Sequence, residues 1–550
     1  MSGRHDQVDT RAWLWLVALL YAALTLVLTY PLPLQMASAV LNDNPDTHLF
    51  LWTLGWDVHA LTTQPFSIFD ANIYYPQRLT LAYSENLIGS AFLAAPVLWL
   101  TGNSVLALNV VTLLSCTLCG LGTYVLARRL GLGIASAILC GLVFAFSPGR
   151  FFRITQVHLA TVQWIPFTLA YLHAYLDGGR ARDVRLAIAF FSLQALTSGH
   201  GAVFATLAVA GLVVFRFASG DRHDIAARCR DIGIPGLVLL SPAVLVLLPY
   251  LAVERELGLQ RSLENFDPVP VSFLASPTSV HSFILSLLPG RPVNEAANGF
   301  LFPGYVPLFF AGLAIVSTRP ERWNRTLFYY ALLTMLCVWL SVGTPLKLWS
   351  WVSGFPGLSL VRVPSRFMIL AVLGLSVLAG LGLERVTRGL STGRGRAFAV
   401  FASALLLLEC SGIPLQLAPF RVDPPAVDRW LDTQPKPFVI AEIPVGLKSR
   451  FQTTYMLHSM AHWQKTVQGY SGVQAPVHDR LFEELKFFPD ERSLQHLASL
   501  GVNYVVVHAD GFDSRQWADV DRVLPQFHAW LTLVHQEGDG RVYALHRPVR

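Results

Sequence analysis

WLWLVALLYAALTLVLTY, from Trp13 to Tyr30, holds no charged side chain. As a helix it would rise about 27 Å, close to the roughly 30 Å of hydrocarbon in a bilayer. Apolar runs of this kind recur near 104–127, 132–148, 159–176, 184–199, 202–217, 233–252, 303–317, 327–343, 365–384 and 397–414. The expected fold is therefore a multi-pass α-helical membrane protein with about eleven transmembrane helices. Ala37-Ser38-Ala39 resembles a signal-peptidase site, but the apolar core before it is longer than a signal peptide's, so the first run reads as a retained span.

Composition agrees. Of 550 residues, 53% are hydrophobic and 14% charged, with a mean hydropathy of +0.47; soluble chains carry roughly 25% charged residues. The deficit is uneven: residues 420–550 hold 29 charged side chains, about 22%, and residues 1–419 hold 47, about 11%. Two domains are expected, a membrane domain over 1–419 and a soluble α/β domain over 420–550. The net charge of +6 splits into +7 and −1 across that boundary. The basic excess thus belongs to the membrane part, and no nucleic-acid partner is implied.

Orientation follows from where short loops collect arginine. Arg128 and Arg129, then Arg180, Arg182 and Arg185, then Arg216, Arg222, Arg228 and Arg230, then Arg319, Arg322 and Arg325, and finally Arg385, Arg388, Arg394 and Arg396 fall on one side. That side, with the N-terminus, is read as cytoplasmic. Leu87 to Leu100 must then be a re-entrant or interfacial helix, and the tail is extracytoplasmic. The six cysteines lie in or beside spans, so no disulfide framework supports the tail. Cys116 and Cys119 read as packing residues within a span, and HSMAH (His458, His462) lacks the Glu of a metalloprotease motif.

The informative charges are those left on the outward face. The first outward loop, 31–85, carries Asp43, Asp46, Asp57, Asp70 and Glu85 against one basic residue, Arg78. Within it DTHLFLWTLGWDVHAL has helical spacing. Leu49, Trp52 and Trp56 make an apolar stripe suited to a membrane interface, while Asp46, Phe50, Thr53 and Asp57 make another stripe. Asp46 reads equally as a helix cap after Asn44-Pro45 or as a catalytic carboxylate, and Asp43 takes either role in its place. Arg150, Arg153, Arg362 and Arg366 sit at outward span ends. Snorkelling explains any one of them, but two pairs match the oxygens of a phosphate. His158 and His200 lie near the same ends. The second outward loop, 254–302, adds Glu295.

These residues resemble the GT-C superfamily of integral-membrane glycosyltransferases. DTHLFLWTLGWDVHAL, FDANIYYPQRLTLAYSENLIG and FAFSPGRFFRITQVHLATVQWIPF are similar to the bacterial multi-pass members, and YMLHSMAHWQKTVQGYSG and LASLGVNYVVVH to their exported domain. The resemblance implies a location in the bacterial inner (plasma) membrane and a sugar donor carried on polyprenyl phosphate. It also implies membrane lipids as surroundings and an extracytoplasmic acceptor that is a glycan, lipid or protein. The first-loop acid, here Asp46, would be the general base. The commoner pattern has two adjacent acids, whereas Asp43 and Asp46 are separated. Which of them is the base, and whether a divalent metal such as Mg or Mn is bound, stays open.

In that scheme Arg150, Arg153, Arg362, Arg366 and His158 would hold the donor phosphate. Asp57, Tyr74, Tyr75, Glu85, Glu295 and His200 would contact sugar or acceptor, and Trp164 and Tyr470 offer further aromatic faces. A transporter or flippase of a lipid-linked or anionic substrate is the alternative, as is a noncatalytic lipid-binding scaffold; no internal repeat supports a transporter.

In the tail, FVIAEIPV and VNYVVVHA read as strands, HDRLFEELKFF, ERSLQHLASL and a segment near Trp517 as helices, and LTLVHQE with RVYALHR as a closing strand pair. The aromatic stretch 446–472 is long for a connection and is expected to fold back and serve an acceptor site. No Gly-rich nucleotide loop is present.

Overall fold

Helices occupy every stretch read as a span. Among the described residues, six are long and apolar enough to cross a membrane: Arg11–Leu28, Ser104–Arg129, Gly199–Ala218, Ala227–Leu257, Arg325–Val342 and Pro364–Arg388. A seventh crossing is made if Ile134–Phe146 and Pro148–Thr155, bent by 44°, form one span. The bend falls at Pro148, which has no N–H to continue the ladder. The remaining stretches hold helices of 12 to 19 residues, namely Trp164–Leu176, Ala181–Thr197, Tyr305–Val316 and Thr392–Cys410. The chain is a multi-pass membrane protein, and length with composition accounts for six or seven of the eleven expected crossings. Ile88–Thr101, at 14 residues, rises about 21 Å and is too short for the hydrocarbon core.

The structure, a computed structural model, describes residues 11–220, 225–257, 268–287, 299–317, 324–343, 351, 361, 363–445 and 449–547. Glu295 and Arg362 lie outside the described residues, as do positions 446–448 of the aromatic stretch. The chain divides into two compact units. One comprises Met1–Gln35, Asn109–Val246 and Gln260–Leu417, and the other Met36–Leu108, Leu247–Leu259 and Ala418–Arg550. The tail thus shares its unit with Met36–Leu108, which holds most of the first long loop.

The helical unit is built around Met368–Arg388, whose residues from Met368 to Gly380 are all buried. Small residues let neighbours approach it: a Cβ at Gly380 would meet the Cys140 sulfur, and one at Gly382 the Phe310 carbonyl. Without a hydrophobic drive between helices in lipid, such close backbone contact is what holds them together. Glu409, buried at the end of Thr392–Cys410, accepts the Tyr305 and Val306 N–H groups and a bond from His281, so it caps Tyr305–Val316.

In the other unit, β1 (Ala39–Val40) pairs antiparallel with β2 (Ala418–Pro419), joining the first loop to the start of the tail. The tail continues as β3 (Val439–Ile443), β4 (Lys465–Thr466), β5 (Tyr504–His508), β6 (Leu531–Glu537) and β7 (Gly540–Leu545), in sheet order β4-β3-β5-β7-β6. The β4-β3-β5 side is parallel and the β5-β7-β6 side antiparallel. Alternation sets the two faces. Ala441, Ile443, Val505 and Val507 pack with Leu481, Leu485, Leu494 and Leu497 of the helices Pro476–Leu485 and Glu491–Leu500, while Ile440 and Val506 face Val427 and Leu431. Asn72–Tyr75 of the first loop extends the edge at β4, with Thr466 N–H bonding Asn72 O at 2.8 Å and Tyr74 N–H bonding Gln468 O at 3.0 Å.

Candidate functional site

The helix that opens the first-loop site runs Pro45–Thr63. Its cap is Asn44, whose side chain accepts the Thr47 N–H at 2.9 Å. Asp46 is therefore not the cap. It stands in the first turn, half-buried, and accepts the Tyr470 hydroxyl at 3.1 Å. Asp43 lies just before the cap with its side chain 24% exposed, 2.9 Å from His48 Nε2. The other ring nitrogen of His48 is 2.9 Å from Thr453 Oγ1.

The expected interfacial stripe is overturned. Leu49, Trp52 and Trp56 are buried, and so are Phe50, Thr53 and Asp57 on the other stripe. Both indoles bond inside the unit, Trp52 to Asn72 Oδ1 at 3.2 Å and Trp56 to Ile68 O at 2.8 Å. Periodicity found a helix, but segments remote in sequence cover it on all sides.

Asp57 is corrected with it. Its Oδ2 accepts the Leu87 N–H at 3.1 Å at the start of Ile88–Thr101, Oδ1 has no hydrogen-bond partner, and burial pushes its carboxyl well above the usual range. It is an anchor for that helix and has no surface to offer a sugar. Tyr74 is likewise sealed at 1% exposure, its ring against Tyr83 and His478 and its N–H in the sheet edge, so no face remains for stacking. Tyr75 and Glu85 stay half-buried.

The anion candidates separate too. Arg150 is fully buried, with Nη1 bonding Ala145 O at 2.8 Å and Nη2 bonding Ala160 O at 2.7 Å; the same nitrogens reach the Cys116 and Cys119 sulfurs at 3.5 and 3.2 Å. Its four terminal N–H bonds are spent on the fold, which removes it from the phosphate set. The two thiols are packing residues around this guanidinium.

Arg153, Arg366, His158 and His200 do come together within the helical unit. Arg366 Nη1 is 2.7 Å from His200 Nε2, the rings of His200 and His158 meet edge-on at 5.4 Å, and the charges of Arg153 and Arg366 bear on one another. Arginine only donates, so His200 Nε2 accepts and that imidazole is neutral, with its hydrogen on Nδ1. Trp164 lies in the same unit, stacked on Phe190.

His48 and Thr453 were missed. His48 sits two residues beyond Asp46 on the helix, which was a usable signal; Thr453 had none, because its partner is 405 residues away. For a metal, the described residues hold no group of three or more His, Cys, Asp or Glu suited to an ion. Asp43 is engaged by His48 and Asp46 by Tyr470, so no step is assigned to one.

No family model and no curated protein matches the chain. Solved structures do. The cryo-EM structure of the arabinofuranosyltransferase AftD from Mycobacteria aligns with a TM-score of 0.56 at 16% identity, over 98% of this chain and 40% of that one. ArnT from Cupriavidus metallidurans aligns at 14% identity, with TM-scores of 0.44 in the apo state and 0.47 bound to undecaprenyl phosphate, over 97% of this chain and 98% of ArnT in each case. This chain spans well under half the length of AftD. At the level of fold, the chain is similar to the arabinofuranosyltransferase AftD.

Proposed function

We propose that the chain is a membrane glycosyltransferase, hexosyl- or pentosyl-, that moves a sugar from a polyprenyl-phosphate donor to a glycan, lipid or protein acceptor outside the cytoplasm. The observation that carries this is the gathering of two arginines and two histidines, Arg153, Arg366, His158 and His200, in a helical unit built for lipid. Guanidinium groups match phosphate oxygens and neutralise charge as it grows on a leaving phosphate. The AftD-like fold adds support of a general kind.

In the reaction an acceptor hydroxyl oxygen attacks the anomeric carbon. The bond from that carbon to the phosphate oxygen breaks, its electrons leave with the polyprenyl phosphate, and the hydroxyl proton passes to a carboxylate. Asp46 is assigned as that base and Asp43 as its alternative, since each is only partly buried at the N-terminal end of the first-loop helix. A single displacement inverts the anomeric centre.

The test is incubation of purified protein with a panel of polyprenyl-phosphate sugars and candidate acceptors, scored by release of the carrier phosphate. Asp46→Asn should abolish release while insertion and abundance are kept. An active Asp46→Asn protein beside an inactive Asp43→Asn protein would transfer the base to Asp43, and no release from any donor would refute the glycosyltransferase.

A further inference from the structure

We infer that the tail supplies two positioning residues to the first-loop acids, Thr453 acting through His48 on Asp43 and Tyr470 acting directly on Asp46. The inference rests on the glycosyltransferase assignment above, and extends it to a segment some four hundred residues away in sequence.

The hydrogen bonds form a directed chain. An ionised carboxylate only accepts, so the His48 nitrogen facing Asp43, Nε2, carries a hydrogen and donates across 2.9 Å. In the neutral ring Nδ1 then accepts, and the Thr453 hydroxyl 2.9 Å away is its donor. Thr453 thereby selects the tautomer and fixes the ring, as the partner of one imidazole nitrogen sets the state of the other. Burial grades along the chain, from an Asp43 side chain 24% exposed to a His48 side chain 5% exposed and a Thr453 fully buried. Substrate can meet the carboxylate but not the hydroxyl, so Thr453 is no nucleophile. Tyr470 does the simpler task, with its O–H on one oxygen of Asp46.

The contact continues from Thr453 to Tyr470. Helix Ser449–His458 carries Thr453, and beyond it Ser459 Oγ accepts from Asn72 Nδ2 at 3.0 Å, while Lys465 Nζ donates to Asp70 O and Ala71 O at 2.8 and 2.9 Å. At Gly55 the approach is close, since a Cβ there would lie 2.6 Å from the Met460 methyl carbon and 3.3 Å from the Trp463 ring. Trp463 stacks on His59 with ring centroids 4.7 Å apart. A carboxylate that must accept a proton in a defined geometry gains from such fixed neighbours.

Tyr470→Phe, Thr453→Val and Thr453→Ser in the full-length protein provide the test, by steady-state kinetics with an accepted polyprenyl-phosphate sugar. Tyr470→Phe removes one hydroxyl from a half-buried ring, and Thr453→Val keeps the buried shape. The variant that acts on the base, Tyr470→Phe where Asp46→Asn is inactive or Thr453→Val where Asp43→Asn is inactive, should lower kcat about tenfold or more with KM for the donor within about twofold, and Thr453→Ser should keep the wild-type kcat. If the variant that acts on the inactivating acid keeps the wild-type kcat, or Thr453→Ser loses it as Thr453→Val does, the inference is overturned while the glycosyltransferase stands. Absence of turnover in the unmodified protein overturns both.

Discussion

Two arginines three positions apart, Arg150 and Arg153, look alike in sequence and differ in place. Arg150 spends its terminal N–H bonds on the Ala145 and Ala160 carbonyls and two thiols, whereas Arg153 belongs with Arg366 and the two histidines. Substitution should separate them. On the proposed function, Arg366→Ala is expected to raise KM for the lipid-linked donor tenfold or more, because it would remove a charge-assisted bond to phosphate. Arg150→Met is expected to lower the yield of monodisperse protein on size exclusion, because buried carbonyls lose their donors. The same contrast holds among the acids. Asp43, Asp46 and Asp57 were legible as first-loop carboxylates, but that none of them caps the helix, that Asp57 anchors a neighbouring helix and that Asp43 and Asp46 stay partly exposed depended on contacts a few ångströms across and, for Asp46, 424 residues apart in sequence.

At the scale of the element, periodicity was reliable for existence and poor for environment. The strands and helices read in the tail are present as β3, β5, β6, β7 and the helices Pro476–Leu485, Glu491–Leu500 and Ser514–Val523. Asp490 and Asp513 cap the latter two, and Gly501 ends the first of those in the left-handed region. The Pro45–Thr63 helix was also found, yet its apolar stripe predicted an interface and met a covered interior. In the helical unit, contact at Met368–Arg388 depends on glycine. Gly382→Ala would press a methyl group into the Phe310 carbonyl, and a loss of about 1–3 kcal/mol is expected from overpacking. Thermal unfolding in detergent checks it, and an unchanged midpoint would contradict the close approach.

For the whole molecule, the tail is where pH should be felt. On the sheet face that carries Glu442, burial holds the Glu442 carboxyl above its ordinary value and the bond from His508 pulls it back. Burial alone would lower His508, but the Glu442 carboxylate raises it. His458 is pushed down to about 4, by burial first, against the pull of Asp428. The signs oppose. His458 binds its proton less readily folded than unfolded, so the stability it contributes is present above about pH 6.5 and is lost as pH falls towards 4. His508 binds its proton more readily folded, so its contribution is present below about pH 6.5 and is lost as pH rises through the folded value. Amide exchange of the Ser449–His458 helix in the full chain, corrected for intrinsic rates, should be slowest near neutrality. His458→Gln should flatten the acid limb; an unaltered limb would refute the assignment.

The sequence by itself determined the solvent and the periodicities: long uncharged runs dictate membrane helices, a charge-rich tail with alternating strands dictates an α/β sheet, and the few charges between and at the ends of the apolar runs are the candidates for chemistry. Each is a local property, set by residues within a turn or two of one another. Only the tertiary structure decided which of those charges meet. Asp43 acquires His48 and, through it, Thr453; Asp46 acquires Tyr470; Arg153 acquires Arg366; and Arg150, Asp57 and Tyr74 are sealed away. Hydrogen bonds and burial act over about 3 Å and are indifferent to chain separation, so no local pattern carries that information.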